Sequence, residues 1–254
     1  MNGPAENGVE GHRASGGAIS LAGGLRLVAF DLDGTLVDSL GDIAAAMNGA
    51  LREYGFEEHV PERYIEWVGD GAGALARRAL PAEVASDEGL AGKVAISFRR
   101  HYQLGGHRRS RPYAGVAEML TALREVGVLL AVISNKPHEL VEECVEEVFG
   151  GGVFARVLGQ KDGAPPKPDP SGLLGVMGEL DVDRSRTAYV GDSMVDVETA
   201  RRAGVAVVAV SWGFCGRGAL LAARPHVMAD SPDEILSFLV NYASEAGGSG
   251  VRSV

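Results

Sequence analysis

Four short segments hold the side chains that could do chemistry. The first is Asp31-Leu32-Asp33-Gly34-Thr35-Leu36-Val37-Asp38-Ser39. The others are Ser134-Asn135-Lys136-Pro137, Pro166-Lys167-Pro168-Asp169-Pro170 and Gly191-Asp192-Ser193-Met194-Val195-Asp196. A carboxylate such as Asp31 can attack phosphorus and form an acyl phosphate, splitting one hard displacement into two easier ones. Asp33 lies two residues on, on the same side of an extended chain. It can protonate a leaving oxygen and later take a proton from water. Crowded acids repel one another and any phosphate. A hard divalent cation resolves that conflict, and carboxylate oxygens suit Mg²⁺. Asp192 and Asp196, four apart at a helix start, face one direction and can hold or orient such an ion. Lys167 can neutralise phosphate oxygens, while the Ser134 hydroxyl and the Asn135 backbone N–H can donate to them. Phosphoryl transfer asks mostly for positioning and charge neutralisation, and this set offers both.

These segments need a scaffold that brings them together. Leu25–Phe30 is an apolar run ending at Asp31, the pattern of a buried strand. Gly127–Ser134, Thr187–Gly191 and Val205–Ser211 read the same way, with a short fifth strand at Val227–Ala229. Gly115–Val126 and Pro137–Phe149 carry helical apolar spacing, the latter opening on a proline suited to a first helical turn. The alternation predicts an α/β fold, a Rossmann-like parallel sheet covered by helices. Ligands of such sheets sit beyond the carboxyl ends of the strands, where three of the segments fall, while Pro166–Pro170 lies in a loop before the third strand.

Residues 40–111 break the rhythm. Ile43–Tyr54, Pro61–Val68, Ala72–Leu80 and Leu90–Tyr102 read as helices with no buried strand among them. The expected organisation is a core of residues 25–39 and 112–243 with an α-helical cap inserted over 40–111. Arg111-Pro112-Tyr113-Ala114-Gly115 would be its return hinge. Residues 1–24 and 244–254, rich in Gly, Ala and Ser, are expected to be disordered tails.

The chain has 254 residues and a formal net charge of -10. That balance argues against nucleic-acid and anionic-membrane partners. No stretch approaches a membrane span, and the N-terminus lacks a signal-peptide pattern. The only two cysteines, Cys144 and Cys215, have no metal-like spacing. The expectation is a cytoplasmic monomer or homodimer acting on a small phosphorylated metabolite. The basic stretch from Arg99 to Arg111 reads as a solvated helix end, and the six histidines as surface or satisfied residues.

Each segment alone has an ordinary explanation. Asp33-Gly34 makes a turn, Asp192 caps a helix, Ser134-Asn135 precedes a proline, and Lys167 sits in a loop. Their ordered placement at successive strand ends makes coincidence a poor account of them.

On these four segments the chain resembles the haloacid dehalogenase superfamily, in its phosphatase branch, from about Leu25 to Phe238. The resemblance implies that Asp31 is the nucleophile and a Mg²⁺ ligand, and that Asp33 is the acid/base with its backbone carbonyl on the metal. It implies Asp192 as a direct ligand and Asp196 as an indirect one. Gly34, Ser134, Asn135 and Lys167 would surround the transferring phosphoryl group. Dehalogenases of this fold lack the second acid of the first segment, so Asp33 points to phosphoesters. Within the branch the chain is most similar to the phosphoglycolate phosphatases. The supporting marks include Asp38-Ser39, Val68-Gly69-Asp70-Gly71-Ala72-Gly73 and Ser211-Trp212-Gly213-Phe214. Gly69, Asp70, Gly71 and Gly73 would then meet the substrate from the cap. Similar enzymes act on sugar phosphates, amino-sugar phosphates, nucleotides or pyrophosphate. A phosphoglucomutase-like phosphotransferase and a non-catalytic regulator are the competing readings.

Overall fold

The computed structural model describes residues 24–247. Its first strand, β1 (Leu27–Phe30), is buried at every position. A run of apolar residues with no polar alternation suits a strand covered on both faces. Two short strands follow, β2 (Val37–Asp38) and β3 (Arg111–Pro112), then β4 (Leu129–Pro137), β5 (Arg156–Gln160), β6 (Thr187–Gly191), β7 (Ala206–Val210) and β8 (Val227–Ala229). The helices are α1 (Leu40–Glu53), α2 (Gly71–Ala79), α3 (Glu88–Gly105), α4 (Val116–Glu125), α5 (His138–Phe149), α6 (Ser171–Glu179), α7 (Met194–Ala203), α8 (Arg217–Ala222) and α9 (Pro232–Gly247).

Six strands form one sheet in the order β5-β4-β1-β6-β7-β8, and each neighbouring pair is parallel. The chain winds to one side of β1 through β4 and β5. It then returns to β1's other side with β6, β7 and β8. That reversal opens a crevice at the carboxyl ends of the strands flanking β1. Apolar side chains fill both faces. Val28, Phe30, Val132 and Val190 meet α4, α5 and α9 on one face, while Leu27, Ala131, Tyr189 and Val207 meet α6 and α7 on the other.

Between β1 and β4 the helices α1, α2 and α3 bury their own cluster, with Met47, Leu51, Tyr64, Leu75, Val94 and Phe98 at its centre. The two chain crossings into and out of this helical insertion are paired, because β2 and β3 form an antiparallel ladder. The buried Asp42 carboxylate adds to the join. It accepts hydrogen bonds from the Arg109 N–H and from the Ser110 N–H and hydroxyl at 2.7–3.2 Å.

Several expectations change. Strand β5 was not anticipated, because Arg156–Gln160 is a half-exposed edge strand with little apolar signal. Pro137 ends β4 in an extended conformation and the helix starts at His138. Pro61–Glu66 is a 3₁₀ turn instead of an α-helix. Residues 244–247, expected in the C-terminal tail, belong to α9, which runs to Gly247. Ile235 and Leu239 dock that helix, and each residue added beyond a docked turn gains a hydrogen bond. Residues 1–23 and 248–254, with the tails expected there, lie outside the described residues. His107 departs from the satisfied-histidine expectation. It is buried, and neither ring nitrogen has a hydrogen-bond partner among the described residues. No helix among the described residues is long and apolar enough to cross a membrane.

Candidate active site

Asp31 follows β1 directly, and its N–H still bonds the Val190 carbonyl of β6 at 2.9 Å. The ladder therefore fixes its backbone. Its side chain stands at the sheet rim, where Lys167 Nζ lies 3.0 Å from Oδ1. The same ammonium lies 2.7 Å from Asp196 Oδ1 and 3.0 Å from the Tyr189 hydroxyl oxygen. Burial works against a charge on Lys167, but Asp196 and Asp31 outweigh it and raise its pKa well above the ordinary lysine value.

Asp192 is held from two sides. The Thr35 hydroxyl donates to Oδ1 at 2.9 Å and the Phe214 N–H to Oδ2 at 2.8 Å. Two glycines permit this approach. A Cβ on Gly34 would stand 2.4 Å from Asp192 Oδ2, and one on Gly213 would stand 2.3 Å from the same oxygen. Gly34 also has φ +84°, a left-handed value that suits glycine. Asp196 is the third residue of α7 in a capping box with Ser193, whose N–H and hydroxyl both donate to Oδ2.

Oxygens of Asp31, Asp192 and Asp196 all lie within 4.8 Å of one another. Burial, followed by the Lys167 pull downward and the push of Asp196 and Asp33 upward, leaves the Asp31 pKa raised to about 7. Burial with Asp196 and Asp31 nearby raises Asp192 to about 8. Three carboxylates against one ammonium leave the buried cluster two negative charges in excess when fully ionised. Hard oxygen donors with that excess fit a divalent cation such as Mg²⁺.

Asp33 does not join this cluster with its side chain. Its Oδ1 accepts from the Ser39 hydroxyl at 2.5 Å and from Lys136 Nζ at 2.9 Å, which turns the carboxylate toward the insertion. Burial opposes charge on Lys136, yet Asp33 and then Tyr102 outweigh it and raise its pKa. The carboxylate side chains that gather are thus Asp31, Asp192 and Asp196, while Asp33 has Lys136 as a partner of its own.

The phosphate-binding expectations divide. Ser134 lines the cavity above Asp31. The Asn135 side chain is fully engaged: Nδ2 donates to the Gly69 and Lys167 carbonyls at 3.1 and 3.0 Å, and Oδ1 accepts from the Lys167 N–H at 2.8 Å. Gly34 has no amide to spare, because its N–H bonds the Val37 carbonyl at 2.9 Å. Its place in the site is the close approach to Asp192 instead of a donor to phosphate.

A cavity of about 400 Å³ opens over these residues. The core contributes Asp31, Asp33, Ser134, Lys136 and Asp192 to its wall, and the insertion contributes Gly69, Asp70, Gly71, Leu75, Arg78 and Phe98. Arg78 pairs with Asp70 and donates to the Trp67 carbonyl at 2.8 Å. Gly73 does not line the cavity. It lies two residues beyond Gly71 on α2, and positions so spaced do not share a helix face.

Sequence reasoning passed over Lys136, Tyr102 and Arg78. Lys136 carried a signal, a lysine inside a strand-end segment facing acids. Tyr102 and Arg78 carried none, because only packing of the insertion brings them in.

The family model described as "Haloacid dehalogenase-like hydrolase" matches residues 28–210. A curated relative named phosphoglycolate phosphatase, from Pseudomonas syringae pv. tomato, is 41% identical over 192 residues, 74% of this chain and 70% of that protein. Another of that name, from Aliivibrio fischeri, is 32% identical over 219 residues, 85% of this chain and 96% of that protein. The crystal structure titled as a predicted phosphoglycolate phosphatase from Haemophilus somnus 129PT matches with a TM-score of 0.77 at 30% identity, covering 84% of this chain and 97% of that one. The matched span runs from inside β1 to the end of β7 and takes in the four segments that carry the acids and lysines of the site, so the chain belongs to the haloacid dehalogenase-like hydrolase family.

Proposed function

We propose that this chain is a Mg²⁺-dependent phosphomonoester hydrolase working through an aspartyl phosphate on Asp31, with 2-phosphoglycolate as its favoured substrate. The observation that carries the reading is a division of labour between two acids in one cavity. Asp31 is held by Lys167 beside the carboxylate cluster, and Asp33 is held apart from it by Lys136.

Asp31 attacks phosphorus, forming the Oδ–P bond as the bond from phosphorus to the leaving oxygen breaks. Asp33, protonated for this step, delivers its proton to that oxygen. Water then attacks phosphorus of the acyl phosphate while Asp33 takes up its proton, and the Asp31 carboxylate is released with inorganic phosphate. Lys167 offsets negative charge on Asp31 and on the phosphoryl oxygens throughout. Asp31, Asp192 and the Asp33 backbone carbonyl would hold Mg²⁺, with Asp196 acting on it through Lys167. Bound Mg²⁺ supplies further charge neutralisation for the phosphoryl oxygens.

The helical insertion acts as a cap. The cavity exceeds what 2-phosphoglycolate fills, and closure over bound substrate removes the surplus and excludes water. The turn at Gly69-Asp70-Gly71 offers the first amides of α2, with Arg78 behind them, to the substrate carboxylate. The relatives' shared name supports phosphoglycolate as the substrate. The free cysteines and the net charge of -10 support a cytoplasmic enzyme without nucleic-acid partners.

The test is a panel of phosphate esters ranked by kcat/KM with Mg²⁺, together with Asp31→Asn. The substitution should abolish turnover and acid-stable labelling by [³²P]phosphoester while leaving the fold intact by circular dichroism. Retained turnover, or another ester clearly ahead of 2-phosphoglycolate, refutes the matching part of the reading.

A further inference from the structure

Lys136 is not used by the reaction scheme above, yet it is among the most enclosed cations in the molecule. Its side chain is 4% exposed. Nζ lies 2.9 Å from Asp33 Oδ1 and 2.7 Å from the Tyr102 hydroxyl oxygen. It also stands 4.3 Å from the centroid of the Tyr102 ring. Tyr102 is itself buried, with the rings of Phe98 and His107 packed against it at 5.7 and 5.2 Å. An ammonium so placed has no freedom to wander, and neither does the carboxylate it grips.

These groups come from separate parts of the chain. Lys136 is the next-to-last residue of β4 in the core, whereas Tyr102 lies in the last turns of α3. Ser39, the second donor to Asp33 Oδ1, is the residue before α1. Asp33 is thus held by Ser39 at the entry to the insertion and by Lys136 of the core, which Tyr102 of the insertion backs. Both bonds fall on Oδ1, Oδ2 receives none among the described residues, and Asp33 lines the cavity.

We infer that Lys136 and Tyr102 form a positioning pair that aims Asp33 at the leaving oxygen and ties its orientation to the seating of the helical insertion. This inference rests on the reading of Asp33 as general acid and base. Neither member of the pair touches the reacting atoms. When α3 is seated, the Tyr102 hydroxyl fixes Lys136, Lys136 fixes Oδ1, and Oδ2 faces the substrate. When α3 shifts, the acid loses its aim, so proton delivery follows closure.

The leaving group provides the readout. An alkoxide needs a proton as it departs, and a nitrophenolate does not. Lys136→Met and Tyr102→Phe are compared with the unaltered enzyme by kcat/KM on 2-phosphoglycolate, ethyl phosphate and p-nitrophenyl phosphate. A well-aimed general acid contributes about 100-fold or more. The alkyl-to-aryl ratio should therefore fall about 100-fold in Lys136→Met, equally for both alkyl esters. Loss of the single hydroxyl in Tyr102→Phe should lower it about tenfold. The ratio is internal to each preparation, so a partly folded variant still reports it. Equal losses on all three esters mean general destabilisation and overturn the inference. A loss confined to 2-phosphoglycolate means that Lys136 binds the substrate carboxylate, which also overturns it. Absence of phosphatase activity in the unaltered enzyme instead refutes the proposed function, and so the two failures are distinct.

Discussion

Lys167 Nζ lies between two buried carboxylates, 3.0 Å from Asp31 and 2.7 Å from Asp196. One ammonium therefore joins the proposed nucleophile after β1 to the helix cap of α7. Lys167→Met would leave both acids without their cation, and removing one partner of a buried pair costs about 3–5 kcal/mol. We expect the unfolding free energy from urea titration to fall by that amount in the metal-free protein and by less with saturating Mg²⁺, since a divalent ion takes over part of the neutralisation. Turnover should fall by about 1,000-fold. An unchanged midpoint would show that the cluster does not rely on this lysine.

The raised carboxyls make stability depend on pH. Asp31 is raised to about 7 and Asp192 to about 8 from an ordinary value of 3.8. Between these limits the folded, metal-free protein keeps protons that the unfolded chain has released. Their stabilising contribution is full below about pH 4 and is lost as pH rises through about 7 to 8. Metal binding needs the ionised form, so it releases protons and tightens over the same window. Calorimetry at pH 6 and pH 8.5 should show Mg²⁺ affinity rising by about tenfold or more with pH, and the EDTA-treated protein should have its lower urea midpoint at pH 8.5. Flat profiles in both measurements would contradict the buried-acid account.

Gly213 offers a test of geometry without touching a charged group. An added Cβ would stand 2.3 Å from both Asp192 Cβ and Oδ2, and 2.4 Å from the Gly34 carbonyl oxygen. Because that carbonyl is backbone, Asp192 must give way. Gly213→Ala is expected to weaken Mg²⁺ binding by at least about tenfold and to cost about 1–3 kcal/mol by overpacking. Titration with Mg²⁺ followed by intrinsic fluorescence, helped by the nearby Trp212, would check it.

Asn135 joins three segments, so its removal should be felt in more than one. Asn135→Ala leaves the Lys167 N–H without its side-chain acceptor, and the Gly69 and Lys167 carbonyls without their donor. A buried group left unsatisfied costs about 1–3 kcal/mol. We expect a loss of about 3 kcal/mol in urea unfolding and a rise in KM, because the turn at Gly69 and the lysine loop both lose their anchor. Asn135→Asp should restore the bond from the Lys167 N–H but not those to the two carbonyls, giving an intermediate midpoint.

How far the sequence reaches can be judged from particular elements. Leu27–Phe30, Thr187–Gly191 and Ala206–Val210 were legible as strands because burial on both faces leaves an unbroken apolar run. Arg156–Gln160 was not, because an edge strand is half-exposed and lacks that run. The position of Asp31, Ser134 and Asp192 at one rim followed from parallel strands alone, since such strands deliver all their carboxyl ends to one side, whereas Lys167 reaches that rim from the loop after β5.

By itself the sequence determined the α/β class, the helical insertion and the identity of the acids and lysine at the strand ends, all of which follow from local periodicity and spacing. Only the tertiary structure decided which acid meets which cation. Lys136 belongs to Asp33 and Lys167 to Asp31 and Asp196, and Asp196 joins Asp31 and Asp192 in the carboxylate cluster. Those choices depend on Tyr102 and Tyr189 arriving from other elements, and spacing along the chain carries no information about which side chains a folded interior will press together.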